Sequence, residues 1–425
     1  MNTNIGHQHP KVIAAIQEQA AKIATIAPQH VSDVRSEAAR LIAERTPGDL
    51  NKIFFTNGGA DAVEHAVRMA RLHTGRNKVL SAYRSYHGGT HMAVNITGDP
   101  RRFASDKATD GVVHFFPAYP YRSYFNSTTE AEETERALKH LEDTIILEGP
   151  GTIAALILET IPGTAGIYLP PPGYLQGVRE LTRKYGIVYI ADEVMAGFGR
   201  SGEWFAVDHW NVTPDLLTFA KGVNSGYVPL GGVAISEPIF ETFREQVYPG
   251  GLTYSGHPLA CAAAVATINA MEDEGMIANA KRLGDEIIGP RLRQFATEHP
   301  RGGRGARHRG VLGDRAGQEP GHPRTAGPLR GQFAADERGG GRGEVRRPAA
   351  HGQLQPAARR PGDEHPRRGA HRGTGPAGTG PHRGRPLRRG IGAKSGTARK
   401  NTAVRVPGTG QRPGPRCCSR RGGNP

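Results

Sequence analysis

Tyr185–Arg200 reads YGIVYIADEVMAGFGR, and Leu216–Gly222 reads LLTFAKG. Each is a short apolar run that ends in a charged residue. Runs of this length, rich in Val, Ile and Leu and without alternation, suit strands covered on both faces of an α/β sheet. The pattern predicts strands at Gly186–Ile190 and Leu216–Phe219, with Asp192 and Lys221 just past their carboxyl ends. Open α/β sheets place their ligand crevice there. An acid and an amine at neighbouring strand ends can be a buried structural ion pair, which needs no ligand.

The same pair also suits pyridoxal phosphate (PLP). A lysine can capture its aldehyde, and a carboxylate can keep its ring nitrogen protonated so that the ring draws electrons. The flanking residues favour this second reading. DEVMAGFGRSG (Asp192–Gly202) followed by TFAKGVNSGYVPLGG (Thr218–Gly232) resembles the class III (ω-amino acid) aminotransferases of PLP fold type I. The resemblance implies a PLP-binding large domain: an α/β fold whose mostly parallel seven-stranded sheet carries helices on both faces. It also implies that Asp192 contacts the ring nitrogen, with Glu193 in support, and that Lys221 is the Schiff-base residue.

Further motifs point the same way. Asn51–Thr56 (NKIFFT) reads as a strand that runs into Asn57-Gly58-Gly59-Ala60, then a helix over Asp61–His73. Strand, glycine turn and helix N-terminus can cradle a phosphate, because backbone N–H groups approach the anion and the helix dipole favours its charge. A double glycine alone is most often only a turn. The resemblance assigns phosphate binding to Gly58, Gly59 and Ala60, and gives Glu64 no role. Tyr86-His87-Gly88-Gly89-Thr90 follows a strand at Lys78–Ala82. A tyrosine there could be a core residue; the resemblance makes Tyr86 the residue stacked on the pyridine ring, with His87 in support. Ile153–Leu158 reads as a central strand ending in Glu159. The resemblance gives Glu159 a supporting role beside the cofactor, although the proline that usually follows is displaced to Pro162. Val194 is a candidate for the ring face opposite Tyr86. Thr253 matches a threonine that reaches the phosphate in the partner subunit, which implies a homodimer.

The remaining elements are read from periodicity. Asn2–Pro10 (NTNIGHQHP) leads into an amphipathic helix with Val12, Ile13, Ile16, Ala20 and Ile23 on one face. His7 and His9 have no third ligand nearby and read as loop and cap residues rather than a metal site. Ser32 is a candidate N-cap for a helix to Arg45. Val112–Phe116 is a short strand followed by an aromatic loop, Phe116–Asn126. Helices are expected at Ala131–Ile146, Tyr174–Tyr185, Leu259–Met271 and Met276–His299, and Leu230–Ile235 as an antiparallel edge strand.

The formal net charge of +15 would suit a nucleic-acid binder. It is not spread evenly. Residues 301–425 hold 28 Lys/Arg against 7 Asp/Glu, whereas residues 1–300 hold 27 against 33 and are mildly acidic. Residues 301–425 also hold 29 glycines and 26 arginines, with Phe333 as their one aromatic ring of the Phe, Tyr and Trp type. That composition does not bury enough apolar area to offset chain entropy, so a disordered tail is expected. Arginine-glycine tails that bind RNA interleave aromatics for stacking, and this one does not. The expectation is an out-of-frame segment in place of a small domain, and an N-terminus that starts in mid-pattern. The chain divides into 1–45, a helical segment; 46–275, the PLP-binding domain; 276–300, a helix leading toward the small domain; and 301–425. Three cysteines, no apolar run near the length of a membrane span and no signal peptide lead to a cytoplasmic expectation.

The function expected is transfer of an amino group from an amine or ω-amino acid, such as taurine or β-alanine, to a keto acid such as pyruvate. Alternatives are an aminomutase or decarboxylase of the same fold type, an inactive aminotransferase fragment, and a basic-tailed nucleic-acid-binding protein.

Overall fold

The computed structural model describes residues 2–105 and 111–298; the expectations for residues 301–425 lie outside them. In chain order the elements are α1 (Pro10–Lys22), α2 (Asp33–Ala43), β1 (Lys52–Thr56), α3 (Gly59–Thr74), β2 (Lys78–Ala82), α4 (His91–Ile96), β3 (Val112–Phe115), α5 (Glu130–Glu148), β4 (Ile153–Glu159), α6 (Tyr174–Tyr185), β5 (Val188–Asp192), β6 (Leu216–Phe219), β7 (Gly231–Ile235), α7 (Glu237–Thr242), α8 (Pro258–Asp273), α9 (Met276–Arg282) and α10 (Gly289–Glu298).

β4 is buried at all of its seven positions, as a strand covered on both faces must be. Its side chains alternate between two cores. Leu156 and Leu158 join one core with α2, α5, α6 and α8, while Ala155 and Ile157 join the other with α3, α4 and α7. That period of two is what puts helices on both faces of one sheet. The seven strands run in the order β1-β7-β6-β5-β4-β2-β3. All neighbours are parallel except the two pairs made by β7.

Several boundaries differ from the sequence reading. β7 is antiparallel as expected, but it is not an edge: it hydrogen-bonds β6 on one side and β1 on the other, and β1 takes the edge. β5 begins two residues after Gly186, because Gly186 takes a left-handed conformation (φ 59°) that closes α6. Asp192 is thereby the last residue of the strand rather than a residue beyond it. α3 starts at Gly59, earlier than Asp61. Ser32 does flank α2, but its side chain makes no capping bond.

The long helix expected over Met276–His299 is interrupted. Residues Leu283–Ile288 form a π-type stretch between α9 and α10. Gly289 N–H donates to the carbonyl of Gly284, five residues back, and a Cβ on Gly289 would lie 2.7 Å from that oxygen. Glycine at this position permits the wider turn.

Leu156 is fully enclosed between the sheet and its helices. Leu156→Ala is expected to destabilise the fold by about 3 kcal/mol, since a lost side chain in a close-packed core leaves a cavity. A urea unfolding midpoint unchanged from the parent chain would contradict that packing.

Candidate active site

The register of the central strands aligns three polar residues at one end of the sheet. Glu159 lies beside Asp192, and Asp192 beside Thr218. Asp192 is 4 % exposed, and a carboxylate so far from water needs donors. It has three. His87 Nδ1 lies 2.7 Å from Oδ2, Val194 N–H donates to Oδ1 at 3.1 Å, and the Thr218 hydroxyl donates to Oδ1 at 3.2 Å. An ionised carboxylate only accepts, so the His87 Nδ1 carries the proton. The His87 side chain is wholly enclosed, its backbone N–H is held by the Thr97 hydroxyl at 3.0 Å, and its Nε2 is buried with no hydrogen-bond partner.

Glu159 is fastened by two backbone donors, Tyr86 N–H at 2.8 Å and Gly163 N–H at 2.9 Å. The displaced Pro162 finds its reason here. The turn it begins brings the Gly163 amide back onto the carboxylate. Burial pushes the Glu159 pKa up, the charge of His87 opposes this, and the neighbouring Asp192 adds to it.

Lys221 opens a four-residue turn just beyond β6 and has φ +42°, in the left-handed region. An L-residue is disfavoured there by contact of its Cβ with the carbonyl oxygen, so surrounding contacts must hold it. Burial lowers the Lys221 pKa; the charges of Asp192 and Glu159 raise it, and Arg200 lowers it further. The acid and the amine are thus electrostatic neighbours. A lysine of lowered pKa spends more time as the neutral, nucleophilic amine.

The glycine turn lies against these groups. A Cβ on Gly59 would fall 2.8 Å from Val194 Cγ1, one on Gly88 would fall 2.6 Å from the Ala60 Cβ, and one on Gly231 would fall 2.6 Å from the Gly58 carbonyl oxygen. Glycine at these positions allows the phosphate-type turn, the tyrosine loop and β7 to close up on one another. No side chain caps the N-terminus of α3, so its first N–H groups remain available to an anion.

The structure therefore brings together Gly58, Gly59, Ala60, Tyr86, His87, Glu159, Asp192, Val194 and Lys221. Tyr86 is half-buried, and the Arg101 guanidinium stands 3.6 Å from its ring centroid, tethered by Asp99. Thr253 is not part of the cluster within one chain; it is exposed on the loop before α8. The donor set fits PLP: a buried acid for the ring nitrogen, an amine at the next strand end, and an uncapped helix N-terminus for the phosphate.

Sequence reasoning missed several supports. Glu64 caps α4, accepting from Met92 N–H at 2.8 Å and Ala93 N–H at 3.2 Å. Arg101 and Asn4 gave no local signal, because their partners are distant in sequence or of ordinary composition. His9 faces Glu274 at 3.3 Å, and no metal-type cluster occurs among the described residues.

Glu193 is completely buried beside Asp192. It accepts from the Thr160 hydroxyl at 2.6 Å and from Ala206 N–H and Val207 N–H at 2.9 and 3.0 Å. Burial still pushes its pKa up to about 7, against those three donors. The folded chain then binds this proton more tightly than the unfolded chain does. The stability it contributes is complete below its ordinary value of 4.5 and lost as pH rises through about 7. Glu193→Gln, which keeps the size and cannot ionise, is expected to fall short of the parent most at pH 5, and by less at pH 8. Thermal midpoints across that range check the sign; a gap that widens with pH would refute it.

Comparison with known proteins is consistent with this geometry. A profile of the family described as aminotransferase class-III matches residues 1–314. Among solved structures, a taurine:2-oxoglutarate aminotransferase from Bifidobacterium kashiwanohense, in complex with PLP and glutamate, is 44 % identical. The match covers 70 % of this chain and 67 % of that one, with a TM-score of 0.68. An (S)-enantioselective omega-transaminase from Thermomicrobium roseum is 38 % identical, with coverages of 70 % and 68 % and a TM-score of 0.67. A transaminase from the marine bacterium Virgibacillus is 36 % identical, with coverages of 70 % and 67 % and a TM-score of 0.65. Among the described residues no helix is long and apolar enough to cross a membrane. With its strand-end acid and lysine and these relatives, the chain belongs to the class-III aminotransferase family, PLP-dependent enzymes of fold type I.

Proposed function

We propose that the chain moves an amino group from an ω-amino acid of the taurine or β-alanine type to a keto acid, with Lys221 and Asp192 as the catalytic residues. The observation that carries the assignment is the position of the two groups. They lie at the ends of adjacent parallel strands, and the carboxylate's charge acts on the amine. The donor class is supported by the 44 % identity to an enzyme that uses taurine.

PLP, when bound, supplies an aldehyde that receives the amino group and a pyridinium ring that withdraws electrons. The protein's residues do the rest. His87, Thr218 and the Val194 amide all converge on the Asp192 carboxylate, which would face the ring nitrogen of a bound cofactor. His87 in turn fixes the carboxylate's direction. Lys221 Nζ would hold the cofactor at rest; as a free amine it would take the proton from the donor's amine-bearing carbon and return one to the product. Gly58, Gly59 and Ala60 bind the phosphate with backbone N–H groups at the head of α3. Tyr86 and Val194 are the residues that would hold the ring. Glu159, tied to the Tyr86 and Gly163 amides, orients the tyrosine loop. Thr253, exposed in one chain, reaches the phosphate from a second copy in a homodimer.

The test uses purified chain with PLP, taurine or β-alanine as donor, and pyruvate or 2-oxoglutarate as acceptor. Donor-dependent alanine or glutamate is the expected product, and which one forms assigns the acceptor. Lys221→Ala is expected to lose at least about 100-fold in rate, the usual reach of a positioned proton-transfer group. It should also lose the pyridoxyl label that borohydride leaves on Lys221. Asp192→Asn is expected to slow turnover while the label persists. If neither acceptor yields a new amino acid, or if Lys221→Ala keeps its rate, the assignment fails.

A further inference from the structure

Residues 2–9 lie against the turn that carries Lys221. Asn4 Nδ2 donates to the Phe198 carbonyl at 2.8 Å, and Asn4 Oδ1 accepts from the Arg200 guanidinium. A Cβ on Gly222 would fall 2.4 Å from Asn4 Nδ2, so the asparagine amide is seated on the residue next to the lysine. Asn2 covers Gly226 in the same way. Two further bonds close the seam. Ile5 N–H donates to the Ser225 hydroxyl at 3.1 Å, and His9 N–H donates to the Tyr227 hydroxyl at 2.6 Å, which itself donates to the Gly6 carbonyl at 3.2 Å.

This seam answers a question the site leaves open. Lys221 and Ser225 both have positive φ, +42° and +55°, at the two ends of one short turn. Non-glycine residues keep such conformations only where packing over-determines them. α8 packs against the turn. The N-terminal segment touches the turn at Gly222, Ser225 and Gly226, and Phe198 also lies against Gly222. The charged groups that act on Lys221 are Asp192, Glu159 and Arg200, and Asn4 bonds directly to the last of them. The stretch of α8 nearest its start is uncharged, reading PLACAAAVATINAM.

We propose that Asn4 is a positioning residue for Lys221: it pins Gly222 and the Arg200 guanidinium, and so sets where the lysine amine stands relative to Asp192 and Glu159. The proposal rests on reading Lys221 as the cofactor lysine. Asn4 shares the space over Gly222 with Phe198, whose Cβ would lie 2.8 Å from an added Cβ; without the Asn4 amide one side of Gly222 opens, and the turn can relax toward negative φ. The lysine amine then swings from its place at the strand ends.

The test compares full-length Asn4→Ala with the parent chain, both loaded with PLP. Three quantities are read: the rate of PLP loss on dilution, the fraction of Lys221 labelled by borohydride at limiting PLP, and the thermal midpoint. PLP loss is expected to rise about tenfold, the scale of one lost side-chain-to-backbone hydrogen bond. Lys221 labelling should fall in step, with the midpoint within a few degrees of the parent. Gly222→Ala, whose methyl enters the Asn4 amide and also meets the Phe198 Cβ, is expected to act at least as strongly. The double variant should be no worse than Gly222→Ala alone, because that variant already disturbs the Asn4 contact. Unchanged PLP loss in Asn4→Ala overturns the proposal, as do additive effects in the double variant or a midpoint that falls in proportion. If Asn4→Ala does not fold, Ser225→Ala removes the neighbouring Ile5 bond instead. Faster PLP loss at constant midpoint then supports the seam, and an unchanged rate overturns it. Failure of the Lys221 reading itself looks different: the parent chain carries no pyridoxyl label on Lys221.

Discussion

A carboxylate buried at the end of a parallel strand is the constraint around which this fold is arranged. Asp192 leaves water at a cost that no apolar contact offsets. Three donors converge on it from three places in the chain: the tyrosine-histidine loop, the neighbouring strand β6 and the backbone just beyond β5. Each donor depends on a larger element. The histidine is held through Thr97 at the end of α4, and α4 is capped by Glu64 from α3. The threonine depends on the register between β5 and β6.

The lysine presents the opposite problem. It lies near the Asp192 and Glu159 carboxylates and yet is partly buried. Burial and the nearby Arg200 pull its pKa down, while the two carboxylates push it up. The balance is set by distances of a few ångströms, since interactions of this kind vary steeply in a poorly screened interior. A turn in the left-handed region, braced by a segment from the other end of the chain, is a way to hold those distances. Strain kept at a reactive residue and restrained by its surroundings is a recurring feature of catalytic sites.

Much of this was legible in the residue order. The apolar runs around Asp192 and Lys221 marked central strands because strands covered on both faces tolerate few polar side chains. The glycines at 58 and 59 mark a turn into a helix, and at Gly59 a side chain would run into Val194. What misled was local. Gly186 was read as the start of a strand, whereas its left-handed conformation ends α6. Leu230–Ile235 was read as an edge, since nothing in its composition reports that β1, some 180 residues earlier, pairs with its outer side. The helix over 276–299 kept its amphipathic pattern through a π-type stretch that periodicity does not register.

The sequence by itself determined the elements and the chemical types. Short-range preference decides where a strand ends in an acid, where a lysine follows a strand, and where glycines precede a helix. The tertiary structure alone decided which of those groups meet. Asn4 reaches Phe198, His87 reaches Asp192, and Gly59 lies under Val194 only after the strands have paired and the helices have closed over both faces. Such contacts join residues 100 to 200 positions apart, and their energy depends on distance in space. Residue order alone does not encode those distances.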